Sequence, residues 1–243
     1  MRIPILSDLG ELFLPTICAG CNAIVPKGAL ICAECEAEME LCRLPLGAKL
    51  LNGLPVVAPF EYAFPVSSLI TAAKFKNLPR LLLPLARAMY EALAGADLAG
   101  YPQVVVPVPL HPVRRRERGF DQAHYLAGLV AADLDCRFIP DALKRIRATP
   151  PQKRADRRQR MAALFGAFGP GPRSELIEGK RVLLVDDVVT TGATLEAALQ
   201  AVRPCLPAGV LTIVAACTPP PSAARQDDLI AGKGSLDLRE EAG

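Results

Sequence analysis

Residues 182–199, with the sequence VLLVDDVVTTGATLEAAL, constrain the fold of this 243-residue chain more than any other segment. The initial run VLLV predicts a strand buried on both faces, as in a parallel sheet. Two acids, Asp186 and Asp187, follow at the predicted carboxyl end of this strand, and a turn of small residues then leads into a predicted helix. Ligands of open parallel sheets bind at the carboxyl ends of the strands. The segment therefore predicts a ligand site at residues 186–194.

The predicted turn suits a phosphate group, because it presents consecutive backbone N–H groups and three threonine hydroxyls at a helix N-terminus. The two acids before it suit sugar hydroxyls or the water shell of Mg²⁺. A ligand with a phosphate at one end and a cis-diol at the other fits both halves. The alternative is that Asp187 and residues 190–194 only form a turn and cap the helix. No G-x-x-x-x-G-K-[ST] or G-x-G-x-x-G motif is present, which argues against a nucleoside triphosphatase or a dinucleotide enzyme.

The rest of the chain alternates apolar runs with helical periodicity, which indicates an α/β domain with a parallel sheet and right-handed crossovers. A Pro- and Arg-rich loop is expected after the second predicted strand. The predicted strands are residues 56–62, 103–108, 181–185 and 210–216. The predicted helices are residues 66–93, broken near Pro79 and Pro84, then 119–134 and 193–202.

Five of the eight cysteines lie within the first 42 residues, and four of them have the spacing C-x₂-C-x₁₀-C-x₂-C. In a reducing compartment, clustered cysteines favour a metal over disulfides. Two such pairs complete a tetrahedral zinc site, whose ligands would be Cys18, Cys21, Cys32 and Cys35. The alternatives are thiols without a metal and a substitute ligand in Cys42. Zinc would be structural, since the first 45 or so residues have few β-branched or aromatic residues beyond those next to the cysteines and could not bury much of a core unaided.

The net charge of +3 is unevenly distributed, because residues 111–160 contain 13 Lys and Arg against six Asp and Glu, a local charge of +7. Such a block indicates an anionic partner or a solvated basic face. Its first cluster is Arg114, Arg115, Arg116 and Arg118. Pro150 and Pro151 predict a mobile loop for a second cluster, the flexible basic loop, of Lys153, Arg154, Arg157, Arg158 and Arg160.

Composition narrows the class of protein further. Aromatic residues make up 5% of the chain and Trp is absent, which argues against a carbohydrate-stacking or aromatic-cage protein. No apolar run approaches the roughly 20 residues that span a bilayer, and the N-terminus does not have the pattern of a signal peptide. We therefore expect a cytoplasmic protein without membrane insertion. The two histidines, His111 and His124, are expected to have structural or solvent-exposed roles.

Residues 182–199 resemble the 5-phosphoribosyl-1-pyrophosphate (PRPP) signature of type I phosphoribosyltransferases. Two further stretches, PVPLHPVRRRERGFDQA at residues 107–123 and RIRATPPQKRADRRQRMAALFGAF at residues 145–168, are similar to the ComF family when taken with the cysteines. ComF proteins are phosphoribosyltransferase-like and associated with bacterial competence. The resemblance covers about residues 18–216. It departs from the family at Met161-Ala162-Ala163, where relatives usually carry a longer arginine run.

The resemblance implies a type I phosphoribosyltransferase fold and a role for each motif. Asp186 and Asp187 would be the catalytic pair that holds the ribose 2′ and 3′ hydroxyls, and the four arginines at 114–118 would face the pyrophosphate. Mg²⁺ would accompany PRPP, and catalysis would consist mainly of positioning and electrostatic stabilisation. The implied PRPP-binding residues are Asp186, Asp187, Val188, Val189, Thr190, Thr191, Gly192, Ala193 and Thr194.

We expect a zinc-binding module at residues 1–50, a phosphoribosyltransferase-like domain at 51–218 and a mostly disordered tail at 219–243. Two functions stay open at this point. One is the transfer of a phosphoribosyl group from PRPP to an unidentified acceptor. The other is a non-catalytic scaffold that binds single-stranded DNA, or DNA-uptake proteins, in competence. The eight basic residues between 144 and 160 favour DNA, whereas the few aromatics there argue against base stacking.

Overall fold

The structure is a computed structural model that describes residues 16–45, 48–51, 54–147 and 164–218, without the side chains of residues 48–51, 54 and 55. Its helices are α1 (Ala33–Leu41), α2 (Val66–Lys76), α3 (Leu83–Gly95), α4 (Pro112–Arg118), α5 (Gln122–Asp133) and α6 (Ala193–Val202). Its strands are β1 (Ala48–Leu51), β2 (Leu54–Val57), β3 (Phe60–Glu61), β4 (Val104–Pro107), β5 (Arg137–Phe138), β6 (Leu143–Arg145), β7 (Phe168–Pro170), β8 (Arg181–Val189) and β9 (Gly209–Cys217).

The main sheet of the described chain has the strand order β1-β2-β9-β8-β4-β5, and β3 pairs with β9. All pairs are parallel except β1 with β2. The register places Val104 beside Val182 and Val182 beside Val210. The last residues of β4 and β8 therefore lie at the same edge. The predicted parallel sheet is confirmed.

The core lies on both faces of this sheet, which explains why β8 is apolar on both sides. Leu183 and Val185 belong to one apolar cluster together with residues of α2, α3 and α5. Val182 and Leu184 belong to a second cluster, which packs against α6 and the antiparallel ribbon of β6 and β7. Burial of each such leucine contributes about 1.5–3 kcal/mol. The central strands are thus held rigidly beneath the edge where they end.

Two predictions about the chain near this edge are wrong. Residues 112–118 form α4 instead of a loop, because His111 Nδ1 accepts a hydrogen bond from the Val113 amide (3.3 Å) and Pro112 occupies a first-turn position. The strand with the two acids does not end at residue 185. Its pairing with β9 continues as far as Val189, so Asp186 and Asp187 lie within the strand.

Prolines define the other differences from the predicted elements. The predicted strand at residues 56–62 is split into β2 and β3 around Pro59, which has no N–H to donate. The predicted break near Pro79 is a 3₁₀ turn, Pro79–Leu82. Pro84 lies inside the first turn of α3, where its missing N–H costs nothing, so it does not break that helix.

The cysteine-rich segment carries α1 and packs on the larger domain. Its own buried cluster contains Cys18, Val25 and Cys35. Met39 of α1, only 5% exposed, instead belongs to the apolar cluster that includes Phe60. The boundary at residue 50 and the tail at 219–243 stay predictions, and the tail lies outside the described residues. Within the described residues, the longest apolar helices are too short to cross a bilayer.

Candidate functional site

A cleft opens at the edge where β4 and β8 end, and several elements converge on it. The strand β8 contributes Asp186 and Asp187, and the start of α6 contributes Thr194. The remaining lining residues come from α2 (Lys74), the loop after β4 (Val108, Pro109, Leu110), the end of α4 (Arg118), the start of α5 (Asp121, Gln122, Ala123) and β6 (Arg145). The cleft therefore joins the predicted PRPP segment to residues far away in the sequence.

The two acids are held in a fixed arrangement. The Asp187 amide donates to Asp186 Oδ1 (2.8 Å), and Lys74 Nζ lies 2.7 Å from Asp187 Oδ2. The side chains of Lys74 and Asp187 are only 20% and 15% exposed. Burial, and then the neighbouring Asp187 carboxylate, raise the pKa of Asp186 well above its usual range. The cleft thus contains a paired carboxylate site that Lys74 partly neutralises.

The turn before α6 is built as the sequence predicted. Gly192, the N-cap residue of α6, has φ 80°, a left-handed conformation that favours glycine, and it has no side chain that could cap the helix. By contrast, Asp121 caps α5 and His111 caps α4. The first-turn N–H groups of α6 therefore have no intrahelical acceptor and no acceptor on the side chain of the N-cap residue. A helix N-terminus of this kind can bind an anion.

The members of the predicted PRPP segment lie at different depths. Val189 and Ala193 are buried, and Val188 continues β8. Thr190 is exposed, and its carbonyl accepts from Thr218 Oγ1 (3.4 Å). Thr191 is partly buried in the turn beside Gly192. Among these residues, only the two acids and Thr194 line the cleft.

Of the four arginines at residues 114–118, Arg118 alone lines the cleft. Its Nη1 donates to Gln122 Oε1 at 3.1 Å. Arg114 pairs with Glu117 (3.1 Å), and Arg115 and Arg116 are exposed on α4. The flexible basic loop, with Lys153, Arg154, Arg157, Arg158 and Arg160, lies outside the described residues.

Sequence reasoning missed three charged residues that the fold brings to the cleft. Lys74 follows the buried Ala73 on α2. Its position beside the buried face of a helix was the sequence signal that could have indicated a place in the cleft. Arg145 on β6 stacks over the Phe168 ring, 5.3 Å from its centroid. Asp121 accepts hydrogen bonds from the amides of Leu110 (3.0 Å) and His124 (3.2 Å), which ties the loop after β4 to α5.

The four predicted zinc ligands come together, with their sulfur atoms all within 4.8 Å of one another. The Sγ atoms of Cys21 and Cys32 are 3.6 Å apart, and Cys18 Sγ accepts from two backbone amides at 3.3 Å. Burial raises the pKa of Cys18, but amides of Cys21, Cys32 and Gly20 outweigh it and bring the pKa to about 6. A ready thiolate among four converging sulfurs fits a tetrahedral metal centre. The cluster can hold a metal ion.

The two histidines have structural contacts, as expected. His111 caps α4, as described above. The His124 ring packs edge-on against Phe138 with the centroids 5.1 Å apart, and burial lowers its pKa.

The chain is similar to a known protein family and to several named proteins. The family model described as "Phosphoribosyl transferase domain" matches residues 121–231. The chain is 33% identical over 186 residues to "DNA utilization protein YhgH" of Escherichia coli O6:H1, covering 74% of this chain and 80% of that protein. It is 31% identical to "Competence protein F" of Haemophilus influenzae over the same shares of the two chains. "Competence protein ComFC" of Bacillus subtilis is 33% identical over 97 residues, 40% of this chain and 37% of that protein.

Proposed function

The chain belongs to the ComF family and has a phosphoribosyltransferase fold, and from this premise we propose that its cleft binds PRPP with Mg²⁺ and transfers the phosphoribosyl group to an unidentified acceptor. One observation carries the proposal. The carboxylate pair of β8 lines the same cleft as Thr194 at the start of α6, and Arg118 lines it as well. A ribose diol, a 5′-phosphate and a pyrophosphate each find a matching partner there.

Each group of PRPP is assigned to residues of suitable chemistry. Asp186 and Asp187 accept hydrogen bonds from the ribose hydroxyls. The N–H groups and hydroxyls of residues 190–194 bind the 5′-phosphate. Arg118 faces the pyrophosphate, on which negative charge develops as the bond to ribose breaks. Arg114, Arg115 and Arg116 do not line the cleft, so the pyrophosphate is assigned to Arg118 and not to them.

The acidic pair also fits Mg²⁺, since hard carboxylate oxygens are the donors that this ion prefers in proteins. When bound, Mg²⁺ would neutralise charge on the pyrophosphate. The protein's own residues orient the ribose and hold a cation at the leaving group, so that catalysis requires no protein nucleophile. Lys74 Nζ lies 2.7 Å from Asp187 Oδ2 and therefore neutralises part of the negative charge of the acidic pair.

Thermal unfolding tests PRPP binding. A ligand that binds only the folded state stabilises by about 2.7 kcal/mol at 100 times its Kd, so millimolar PRPP with MgCl₂ should raise the Tm. The double substitution Asp186→Ala and Asp187→Ala should abolish this shift while the protein stays folded. Pyrophosphate release from PRPP, measured across a panel of nucleobases and amines, then identifies the acceptor. No Tm shift at millimolar PRPP would make the scaffold function the better one.

For the cysteine cluster we propose a structural Zn²⁺ held by Cys18, Cys21, Cys32 and Cys35. Four thiolates saturate a tetrahedral ion and leave no position for a substrate. Cys42 is not needed as a ligand, and its Sγ donates to the Phe64 carbonyl instead (3.2 Å).

A second function, binding of single-stranded DNA, is favoured by the exposed Lys144 and Arg147 at β6, which lead into the basic residues 153–160. The names of the relatives, DNA utilization and competence proteins, agree with it. Affinity for an oligonucleotide should then fall with salt at a slope of about −0.7 per phosphate neutralised.

The quadruple substitution of Arg154, Arg157, Arg158 and Arg160 by Ala separates the two functions. If these arginines contact DNA phosphates, the salt slope should flatten by up to about 3, and PRPP binding should survive. Unchanged weak DNA binding with a collapsed rate of pyrophosphate release would show that these arginines serve the PRPP reaction. A variant unchanged in both assays would exclude both roles.

A further inference from the structure

Gln122 lines the cleft, although nothing in the sequence indicated a role for this residue. It is the first residue of α5 and only 3% exposed. Its Oε1 accepts the hydrogen bond from Arg118 Nη1 at 3.1 Å. Its Nε2 is buried, and no described residue accepts a hydrogen bond from it. The amide oxygen of Gln122 therefore has a hydrogen-bond partner, whereas its NH₂ group has none among the described residues.

This arrangement is unfavourable for folding alone. A buried donor without an acceptor loses its hydration and gains nothing in return, whereas an apolar side chain of similar size would avoid that loss. The helix does not need Gln122 for capping, because Asp121 caps α5. The bond to Arg118 assigns the amide orientation, with the oxygen toward the guanidinium and the NH₂ group away from it. A role in ligand binding explains the otherwise unused donor.

The chemistry of the missing partner follows from the donor and its neighbour. An NH₂ group can only donate, so its partner is an acceptor oxygen. Arg118 uses one N–H on Gln122, and its planar guanidinium has further N–H groups for an anion. An oxygen-rich anion with several acceptors can bind both side chains at once, as a pyrophosphate group can. A singly bonded hydroxyl of the ribose offers no such shared acceptor set.

We propose that Gln122 is a binding residue for the pyrophosphate group of PRPP, to which its Nε2 donates while its Oε1 holds Arg118 on the same group. The inference rests on the proposed function, because the pyrophosphate that Gln122 binds is part of PRPP. It adds a neutral side chain from α5 to the cations expected at the pyrophosphate, and it explains why Arg118 alone, among its neighbours on α4, reaches the cleft.

Calorimetric titration of Gln122→Met tests the proposal, with PRPP, inorganic pyrophosphate and ribose 5-phosphate as probes, each with MgCl₂. We expect the Kd values of PRPP and pyrophosphate to rise about tenfold or more, since hydrogen bonds to charged groups are among the stronger ones. The Kd of ribose 5-phosphate should not change. The Tm without ligand should stay the same or rise, because the substitution removes the unpaired donor. The matched control is Gln200→Met, exposed at the end of α6.

A second variant separates direct donation from support of Arg118. In an Arg118→Ala background, Gln122→Met should still weaken pyrophosphate binding if Nε2 donates to the anion. No further loss in that background would overturn the direct contact. Equal Kd values for the single variant and the wild type would overturn the whole inference, as would a lower Tm with unchanged Kd. Gln122→Leu provides the same readouts if Gln122→Met does not fold.

The outcomes also distinguish this inference from the proposed function. Wild-type protein that binds pyrophosphate in a Gln122-dependent way but not PRPP would preserve the anion site and overturn the proposed function. Equal binding of PRPP by the wild type and by Gln122→Met would preserve the proposed function and overturn this inference. Protein that binds neither probe would overturn both.

Discussion

At the scale of single residues, the ion pair of Lys74 and Asp187 sets the charge of the cleft. Both side chains are at least four-fifths buried, so neither charge is well hydrated. Attraction between two charges that have lost part of their water offsets the desolvation cost only while both partners are present. Lys74 lies on α2, outside the matched domain at residues 121–231, and its ion pair therefore couples that helix to the acids of β8.

Lys74→Met should destabilise the protein because it leaves Asp187 partly buried beside Asp186 without a cation. Removing one partner of a fully buried pair costs about 3–5 kcal/mol, and the residual exposure here reduces the expected loss to roughly 1–3 kcal/mol. Urea unfolding measures this loss. Lys76→Met, exposed on the same helix, is the matched control and should change stability by less than about 0.5 kcal/mol. Equal losses in both variants would contradict a role for the pair.

Asp186→Asn should stabilise the protein in a pH-dependent way. Because the pKa of Asp186 is raised in the folded state, wild-type protein loses stability as pH rises from the ordinary Asp value, about 3.9, through the raised one. Asparagine has no charge to bury and keeps an oxygen for the Asp187 amide. The two proteins should therefore have similar Tm values at low pH, and the variant the higher Tm at neutral pH. A variant that is less stable across the whole pH range would refute the burial argument.

At the scale of elements, two helix ends meet behind the cleft. Asn77 ends α2 with φ 52°, and Gly119 ends α4 with φ 78°. A Cβ atom at Gly119 would lie 2.9 Å from Asn77 Nδ2. Since α2 carries Lys74 and α4 carries Arg118, this close contact helps to set the distance between two cations of the site.

Gly119→Ala should therefore affect both stability and binding. The left-handed backbone alone costs a residue with a Cβ about 1–2 kcal/mol, and the new Cβ requires the Asn77 side chain, which lies between the two helix ends, to move. We expect a lower Tm and weaker PRPP binding. The control is Gly128→Ala within α5, where the added Cβ would lie 3.7 Å from the Phe138 ring, an ordinary contact. This substitution should stabilise the protein by roughly 0.5–1 kcal/mol. Unchanged PRPP affinity in Gly119→Ala would show that the two helix ends do not position the cleft.

The elements that the sequence predicted best are those whose signals are local. Apolar runs located β4, β8 and β9 to within a few residues, and the bounds of α6 agree with the prediction. The helix α4 was missed because its arginines give no apolar face. Its ends are defined by its caps, His111 and Gly119. Lys74 and Arg145 could not be assigned because their place in the cleft depends on tertiary packing. Gln122 was missed because its proposed role depends on its burial, which the sequence does not reveal.

At the scale of the whole molecule, the cysteine-rich segment and the larger domain share contacts. Met39 of α1 lies in the main apolar core. At a second of its contacts with the larger domain, a Cβ at Gly20 would be 2.7 Å from Cys35 Sγ and 3.2 Å from Pro65 Cβ, next to the start of α2. Loss of the proposed metal should therefore reach beyond the segment itself.

Cys32→Ser should reduce the zinc content from about one ion per chain to nearly none, because three thiolates no longer close the tetrahedron. The Tm of the cooperative transition of the whole chain should fall as well, since Met39 loses its support. Elemental analysis and calorimetry measure the two effects. Cys205→Ser, outside the cluster, should keep the zinc. Protein purified under reducing conditions without zinc would contradict the proposed centre.

The order of strands in the sheet has a consequence for how the protein is made. β9 lies between β2 and β8 and is the last strand of the described chain to be synthesised, and its register places Val56 beside Thr212. Pairing between such distant segments is slow to form, and until it forms the edges of β2 and β8 stay open to other chains. A nascent or truncated chain that stops before residue 209 is therefore expected to aggregate, and to depend on chaperones, rather than to persist as a smaller working domain.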